Sequence, residues 1–182
     1  MPERTTLQTS RLLLRPFEIK DVDDVYSYAS EPDWARYLPV PQPYLREHVV
    51  EFVARKLIED KSKCSTFAVV YDGKCVGAVE LGFDPARNIG EVGYSLAKDL
   101  WGKGLVTEAV KAVTDWGFGT LGLAKVHARA DVRNLGSLRV MIKSGMSLEG
   151  CLRSHDVVRG ERIDVYCYAI LREDWKKARG GR

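Results

Sequence analysis

Two glycines one residue apart, Gly102 and Gly104, stand where an extended stretch gives way to a helical one. The surrounding segment, residues 99–110, reads Asp-Leu-Trp-Gly-Lys-Gly-Leu-Val-Thr-Glu-Ala-Val. Without a Cβ, a glycine lets the backbone take unusual dihedrals and approach a ligand closely. The helix that follows presents unpaired N–H groups and roughly half a positive charge at its start. Together these features predict a receptor for a phosphorylated ligand.

Two common phosphate motifs do not fit. A P-loop needs Gly, four residues, then Gly-Lys-Ser/Thr. Here Gly102-Lys103 is followed by Gly104, and the first glycine's position is Ala97. A dinucleotide fingerprint needs a third glycine where this chain has Thr107. An NTPase and a nicotinamide enzyme are both disfavoured. A bare Gly-x-Gly is also compatible with a tight strand-to-helix turn that binds nothing.

The rest of the chain supplies a frame for that turn. At 182 residues it suits one core, read as a single domain over 1–175. Residues 176–182 read as a basic, glycine-rich, disordered tail. The net charge of +3 is too small to argue for nucleic acid as a partner. No apolar run reaches membrane-spanning length, and residues 1–30 lack a signal peptide's apolar core. Cys64, Cys75, Cys151 and Cys167 lack Cys-x-x-Cys spacing and read as reduced thiols of a cytoplasmic protein. The three histidines lie far apart, so no metal is expected and each reads as solvated or core.

Strands are expected at 12–17, 66–71, 75–83, 88–96, 125–131, 147–152 and 162–171. Helices are expected at 21–30, 44–60, 106–118 and 135–144. Asp72-Gly73 marks a hairpin between the second and third strands. Pro32, Pro39, Pro41 and Pro43 break the stretch between the first two helices into a loop.

A second cluster, residues 134–146, reads Asn-Leu-Gly-Ser-Leu-Arg-Val-Met-Ile-Lys-Ser-Gly-Met. With the glycine turn it resembles the GNAT superfamily of acyl-CoA-dependent N-acetyltransferases. That family's phosphate loop, Gln/Arg-x-x-Gly-x-Gly/Ala, falls on Asp99 to Gly104. Its Asn-x-x-Ser and Lys-x-Gly-Phe fall on Asn134, Ser137, Lys143, Gly145 and Met146. The segments Thr-Ser-Arg-Leu-Leu-Leu-Arg-Pro at 9–16, Gly-Glu-Val-Gly-Tyr at 90–94 and Leu-Arg-Glu-Asp-Trp at 171–175 are similar to the branch acetylating the N-termini of ribosomal proteins. The resemblance runs from about Thr9 to Trp175. Asp99 departs from the usual Gln or Arg, and Met146 from the usual Phe.

The resemblance implies an α/β (α+β) domain: a mixed, mostly antiparallel central sheet flanked by helices, with a splayed strand pair holding acyl-CoA. It implies acetyl-CoA as cosubstrate, direct transfer to a primary amine, and no metal. Backbone groups of Leu96, Ala97 and Lys98 would bond pantetheine, and one N–H would polarise the thioester carbonyl. Those of Gly102, Lys103, Gly104, Leu105, Val106 and Thr107 would hold the diphosphate. Lys103 is equally readable as a solvated loop lysine. Asn134 would contact pantetheine, and Ser137 would bond the sulfur and protonate it; both residue types also favour helix caps.

Glu91 is the candidate base, and Glu80 on the preceding strand competes with it; either is equally readable as structural. An α-amine, with pKa about 8, loses its proton at pH 7 for about 1.4 kcal/mol, whereas a lysine at about 10.4 needs about 4.6. A weak carboxylate base therefore favours the N-terminal α-amine of a protein or peptide. A small-molecule amine such as an antibiotic or polyamine is the rival acceptor, and a noncatalytic acyl-CoA-binding module the rival class. Trp34, Tyr37 and Tyr44 belong to the proline-rich loop expected to shape the acceptor pocket. A homodimer is left open.

Overall fold

The computed structural model describes residues 5–180. In chain order it contains β1 (Leu7–Gln8), β2 (Leu13–Arg15), α1 (Asp21–Ala29), α2 (Arg46–Leu57), β3 (Cys64–Tyr71), β4 (Lys74–Asp84), β5 (Ile89–Leu96), α3 (Leu105–Gly119), β6 (Lys125–Asp131), α4 (Leu135–Lys143), β7 (Ser147–Val158), β8 (Glu161–Leu171) and α5 (Arg172–Gly180). The strands form one sheet in the order β1-β2-β3-β4-β5-β6-β8-β7. All neighbours are antiparallel except β5 and β6, which run parallel. The expected mixed, mostly antiparallel sheet flanked by helices is therefore present.

Local chemistry explains the best-defined elements. Asp72 and Gly73 both take positive φ, +49° and +79°, the backbone of a two-residue hairpin turn. On α3, Leu105, Ala109, Val110, Val113, Trp116 and Phe118 are buried, and Trp116 meets Phe67 of β3 edge-on at 5.5 Å. Alternation along β4 points Leu81 at α3 and Glu80 at Lys56 of α2, so the two helices cover opposite faces.

Strand β5 continues that alternation. Val92 and Leu96 are buried on the α3 side, whereas Glu91 pairs in register with Gly82 on the other face. Its contact with β6 is short. The joined pairs are Ile89↔Lys125, Gly90↔Val126 and Glu91↔His127, after which β5 runs on to Leu96 and β6 to Asp131. The two strands thus form a fork that opens toward the glycine turn.

Several expected boundaries move. α2 stops at Leu57, because residues beyond it turn back: the Lys63 and Cys64 amides both donate to the Asp60 carbonyl. β7 extends to Val158 across a bulge at residues 153–155, where Ser154 takes φ +53° and its amide donates to the Asp164 carboxylate at 2.7 Å before pairing with β8 resumes at Asp156. Residues 176–180, expected as disordered tail, instead complete α5; residues 181–182 lie outside the described residues. Trp175 stacks on Phe118 at 5.3 Å, its indole N–H donates to Asp115 at 2.6 Å, and Arg179 covers its ring while pairing with Asp115. Among the described residues, no helix is long and apolar enough to cross a membrane.

Candidate active site

The glycine turn has the left-handed backbone its composition predicts. Gly102 and Gly104 both have φ +77°, a region that costs an L-residue about 1–2 kcal/mol. Gly104 is the N-cap of α3 and offers no side-chain cap, so the amides of Leu105, Val106 and Thr107 lack intrahelical partners. A Cβ on Gly102 would meet nothing within 4 Å, so the turn faces open space. Lys103 is exposed.

Sequence reasoning missed what braces this turn. Arg11 donates from Nε to Glu108 at 2.7 Å and from Nη1 to the Lys103 carbonyl at 3.0 Å. Glu108 also accepts from the hydroxyls of Thr9 (2.6 Å) and Ser10 (2.9 Å) and from the Arg11 amide (2.9 Å). The segment at 9–16 carried only the family resemblance; no local pattern ties it to a helix some hundred residues away.

At the open end of the fork, the Ala97 amide donates to the Val76 carbonyl at 2.8 Å and so belongs to the sheet, while its carbonyl accepts the Leu100 amide at 3.1 Å. The Leu96 carbonyl accepts the Trp101 indole N–H at 2.8 Å, which leaves it one further acceptor site. Lys98 opens a 3-10 turn, where its own amide is not consumed by the turn. Its ammonium pairs with Asp33 at 2.5 Å.

On the β5 side, the fork meets α4 through hydroxyls. Asn134 caps α4 by accepting the Ser137 amide at 3.1 Å, so its side-chain oxygen is engaged structurally. The Ser137 Oγ lies 2.7 Å from the Tyr94 hydroxyl, a contact in which either oxygen can donate, and the single Tyr94 proton can turn instead to the Ser137 carbonyl at 3.1 Å. Burial pushes the Tyr94 phenol up to about 12, so it keeps its proton at neutral pH. Ser137 therefore has a proton donor behind it. Sequence reasoning named Ser137 and left Tyr94 as a strand residue.

The two candidate bases share one face: Glu80 pairs in register with Gly93, and Glu91 with Gly82. Glu80 is held by Lys56 at 2.5 Å and by the Thr66 hydroxyl at 2.9 Å. Glu91 accepts from Arg129 Nε at 2.9 Å, and Arg129 also faces Asp156 at 3.6 Å. Beside Glu91, on the face away from α3, opens a cavity of about 400 Å³ whose lining includes Phe83, Ile89, Glu91, His127 and Glu149.

Two further groupings have structural explanations. Glu59, Cys64 and Glu80 have ligand atoms close enough to hold a metal, but their carboxylates already accept Lys56 and Lys61. Trp34 and Tyr44, expected around an acceptor pocket, are buried in ring contacts with Tyr28 and with each other at 5.7 and 5.5 Å. Tyr37 is half-buried. What closes over that loop is Arg159 from the β7–β8 turn, which donates to the carbonyls of Ala35, Leu38 and Arg36 at 3.1, 2.9 and 2.6 Å.

This arrangement has known counterparts. A family model described as an acetyltransferase (GNAT) domain matches residues 11–147. The spermidine N(1)-acetyltransferase of Escherichia coli (strain K12) is 30% identical over 163 residues, 89% of this chain and 87% of that one. A GNAT-family acetyltransferase structure from Bacillus anthracis superposes with a TM-score of 0.84 at 30% identity, covering 93% of this chain and 99% of the other. RimL, a ribosomal L7/L12 alpha-N-protein acetyltransferase solved with coenzyme A, matches with a TM-score of 0.81 over 92% and 98% of the two chains; at 19% identity that is a likeness of fold alone. Matched by the family model over most of its length and by relatives along nearly all of it, the chain belongs to the GNAT family and is an N-acetyltransferase.

Proposed function

We propose that this enzyme transfers acetyl from acetyl-CoA directly to the N-terminal α-amine of a protein or peptide. The observation that carries the reading is the β5–β6 fork. Its closed end lies at Glu91 and His127, and its open end leads to a turn of unpaired amides. The amides from Gly102 to Thr107 suit a diphosphate, and the Lys98 amide together with the Leu96 carbonyl suits pantetheine. Acetyl-CoA supplies an activated acyl group. The acceptor nitrogen gives up a proton to a base on the face of Glu91 and bonds to the acetyl carbon, the carbon–sulfur bond breaks, and Ser137 gives its proton to the departing sulfur. Tyr94 replaces the proton on Ser137 and regains its own from solvent as the products leave. Glu91 lies on the fork's other face, at its closed end.

The charges beside Glu91 favour a single amine over a polyamine. Asp84, Glu91 and Glu149 are each matched by a cation: Arg87 at 3.6 Å, Arg129 at 2.9 Å and Lys125 at 2.6 Å. No carboxylate of that set is left over for the second and third charges of spermidine. The likeness to the spermidine enzyme keeps the polyamine as the second reading.

Thiol release from acetyl-CoA should be measured with a peptide bearing a free α-amine, an Nα-blocked lysine peptide and spermidine. The α-amine peptide is expected to give the highest kcat/KM. A clear preference for spermidine or for blocked lysine overturns the assignment.

A further inference from the structure

We infer that His127 accepts the proton released by the acceptor amine, within the cavity on the sheet face opposite α3. The inference rests on the reading that the chain acetylates an amine. His127 is the β6 partner of Glu91 in the last joined pair before the fork, which puts both side chains on one face at its closed end. The cavity of about 400 Å³ that both line is open to solvent, so a proton taken there has an exit.

The imidazole is also the uncommitted base of this cluster. Its Nδ1 is buried and has no hydrogen-bond partner among the described residues. Such an atom costs about 1–3 kcal/mol while it stays unmatched. The groups facing it from neighbouring strands are engaged. Glu91 of β5 is held by Arg129, and Lys125 of β6 by Glu149 of β7. Cys167 of β8 is pushed up by burial and keeps its proton.

Burial also holds His127 below the usual imidazole value, against the opposing pull of Glu91. The ring is therefore neutral at pH 7 and free to accept. In the proposed step the amine N–H bond breaks as the nitrogen bonds to the acetyl carbon. The proton forms a bond to an imidazole nitrogen, and the imidazolium, with Glu91 nearby, releases it to bulk water. No other reagent is needed.

The test pairs kinetics with titration. In His127→Gln, kcat/KM for the accepted amine should fall on the order of 100-fold, the scale of a positioned general base. The acidic limb of its pH profile should disappear, while the Kd for acetyl-CoA stays within about twofold of wild type. In the wild-type protein, the pH of that limb should coincide with the His127 titration followed by NMR, with His48 and His155 as internal comparisons. A His127→Gln enzyme that keeps its rate and its limb, or a wild-type limb that tracks another pKa, overturns the role of His127 alone. A wild-type protein that releases thiol with no amine overturns the acetyltransfer reading as well.

Discussion

Arg11 reaches Glu108 at 2.7 Å while its other arm holds the Lys103 carbonyl at 3.0 Å, so one guanidinium ties the chain's first strands to both the glycine turn and the first turn of α3. Its Nη2 lies 3.6 Å from where a Cβ on Gly104 would sit, which sets the guanidinium beside a turn suited to phosphate even as it pairs with Glu108. Arg11→Ala should therefore weaken acetyl-CoA binding by about tenfold, equal to about 1.4 kcal/mol. Isothermal calorimetry reads this directly. An unchanged Kd would show that Arg11 only braces the loop.

Glu108 gives the same contact a pH dependence. Burial works to raise its carboxyl, but donors from Thr9, Arg11 and Ser10 overcome that and hold it at about 2. Because the folded value lies below the ordinary 4.5, the unfolded chain binds more protons between the two. This stabilisation is complete above about pH 4.5 and is lost as pH falls toward 2. Glu108→Gln should cost about 2 kcal/mol at pH 7, the scale of hydrogen bonds to a charged group. Denaturant unfolding at stepped pH should show a flatter acid slope in the variant than in wild type.

Gly102 and Gly104 share φ +77° but differ in surroundings. A methyl on Gly102 meets no protein atom, so Gly102→Ala pays only for the left-handed backbone, about 1 kcal/mol. The same methyl occupies the open space in front of the turn's amides. The expected outcome is a modest fall in Tm with a much larger loss of acetyl-CoA affinity, more than tenfold. Equal losses in both would mean that the turn is structural.

The Tyr94–Ser137 pair separates proton delivery from binding. Ser137→Ala removes the hydroxyl proposed to meet the sulfur and should lower kcat by about 10²-fold. Tyr94→Phe keeps Ser137 but removes its 2.7 Å neighbour, and should lower kcat by about tenfold with acetyl-CoA affinity nearly unchanged. If the double variant is no slower than Ser137→Ala, the two hydroxyls act in series.

What the sequence reveals of this protein is what depends on neighbours along the chain. The Asp72-Gly73 turn and the buried stripe of α3 follow from residues a few positions apart and appear where expected, and the capping alternative for Asn134 is the one its side chain takes up. The fork at Glu91↔His127 was implied only by resemblance, since nothing in β5 or β6 marks where their pairing ends. Tyr94 reads as one more apolar strand position until α4 brings Ser137 to it. His127 reads as a solvated or core histidine because its orphaned Nδ1 and the cavity beside it are properties of packing. The true length of β7 was hidden for a related reason. Its residues 153–156, Arg-Ser-His-Asp, look like a loop and do bulge, with Ser154 at φ +53°, but pairing with β8 resumes at Asp156 and carries the strand on.

Arg159 extends that lesson to the acceptor side. It sits at φ +47° in the β7–β8 turn and fills three carbonyls of the loop between α1 and α2, at 3.1, 2.9 and 2.6 Å. Carbonyls at 35, 36 and 38 that converge on one guanidinium hold the loop closed against the hairpin. Arg159→Ala should release the loop while leaving the glycine turn, Tyr94 and Ser137 in place. KM for the acceptor is expected to rise about tenfold, with the Kd for acetyl-CoA and kcat at saturating acceptor both within about twofold of wild type. Lysine at 159 offers a point charge in place of a planar fork and should recover only part of the loss. Steady-state kinetics with the acceptor varied at fixed acetyl-CoA decides it: a defect in acetyl-CoA affinity instead would place the clasp on the cosubstrate's side of the fork.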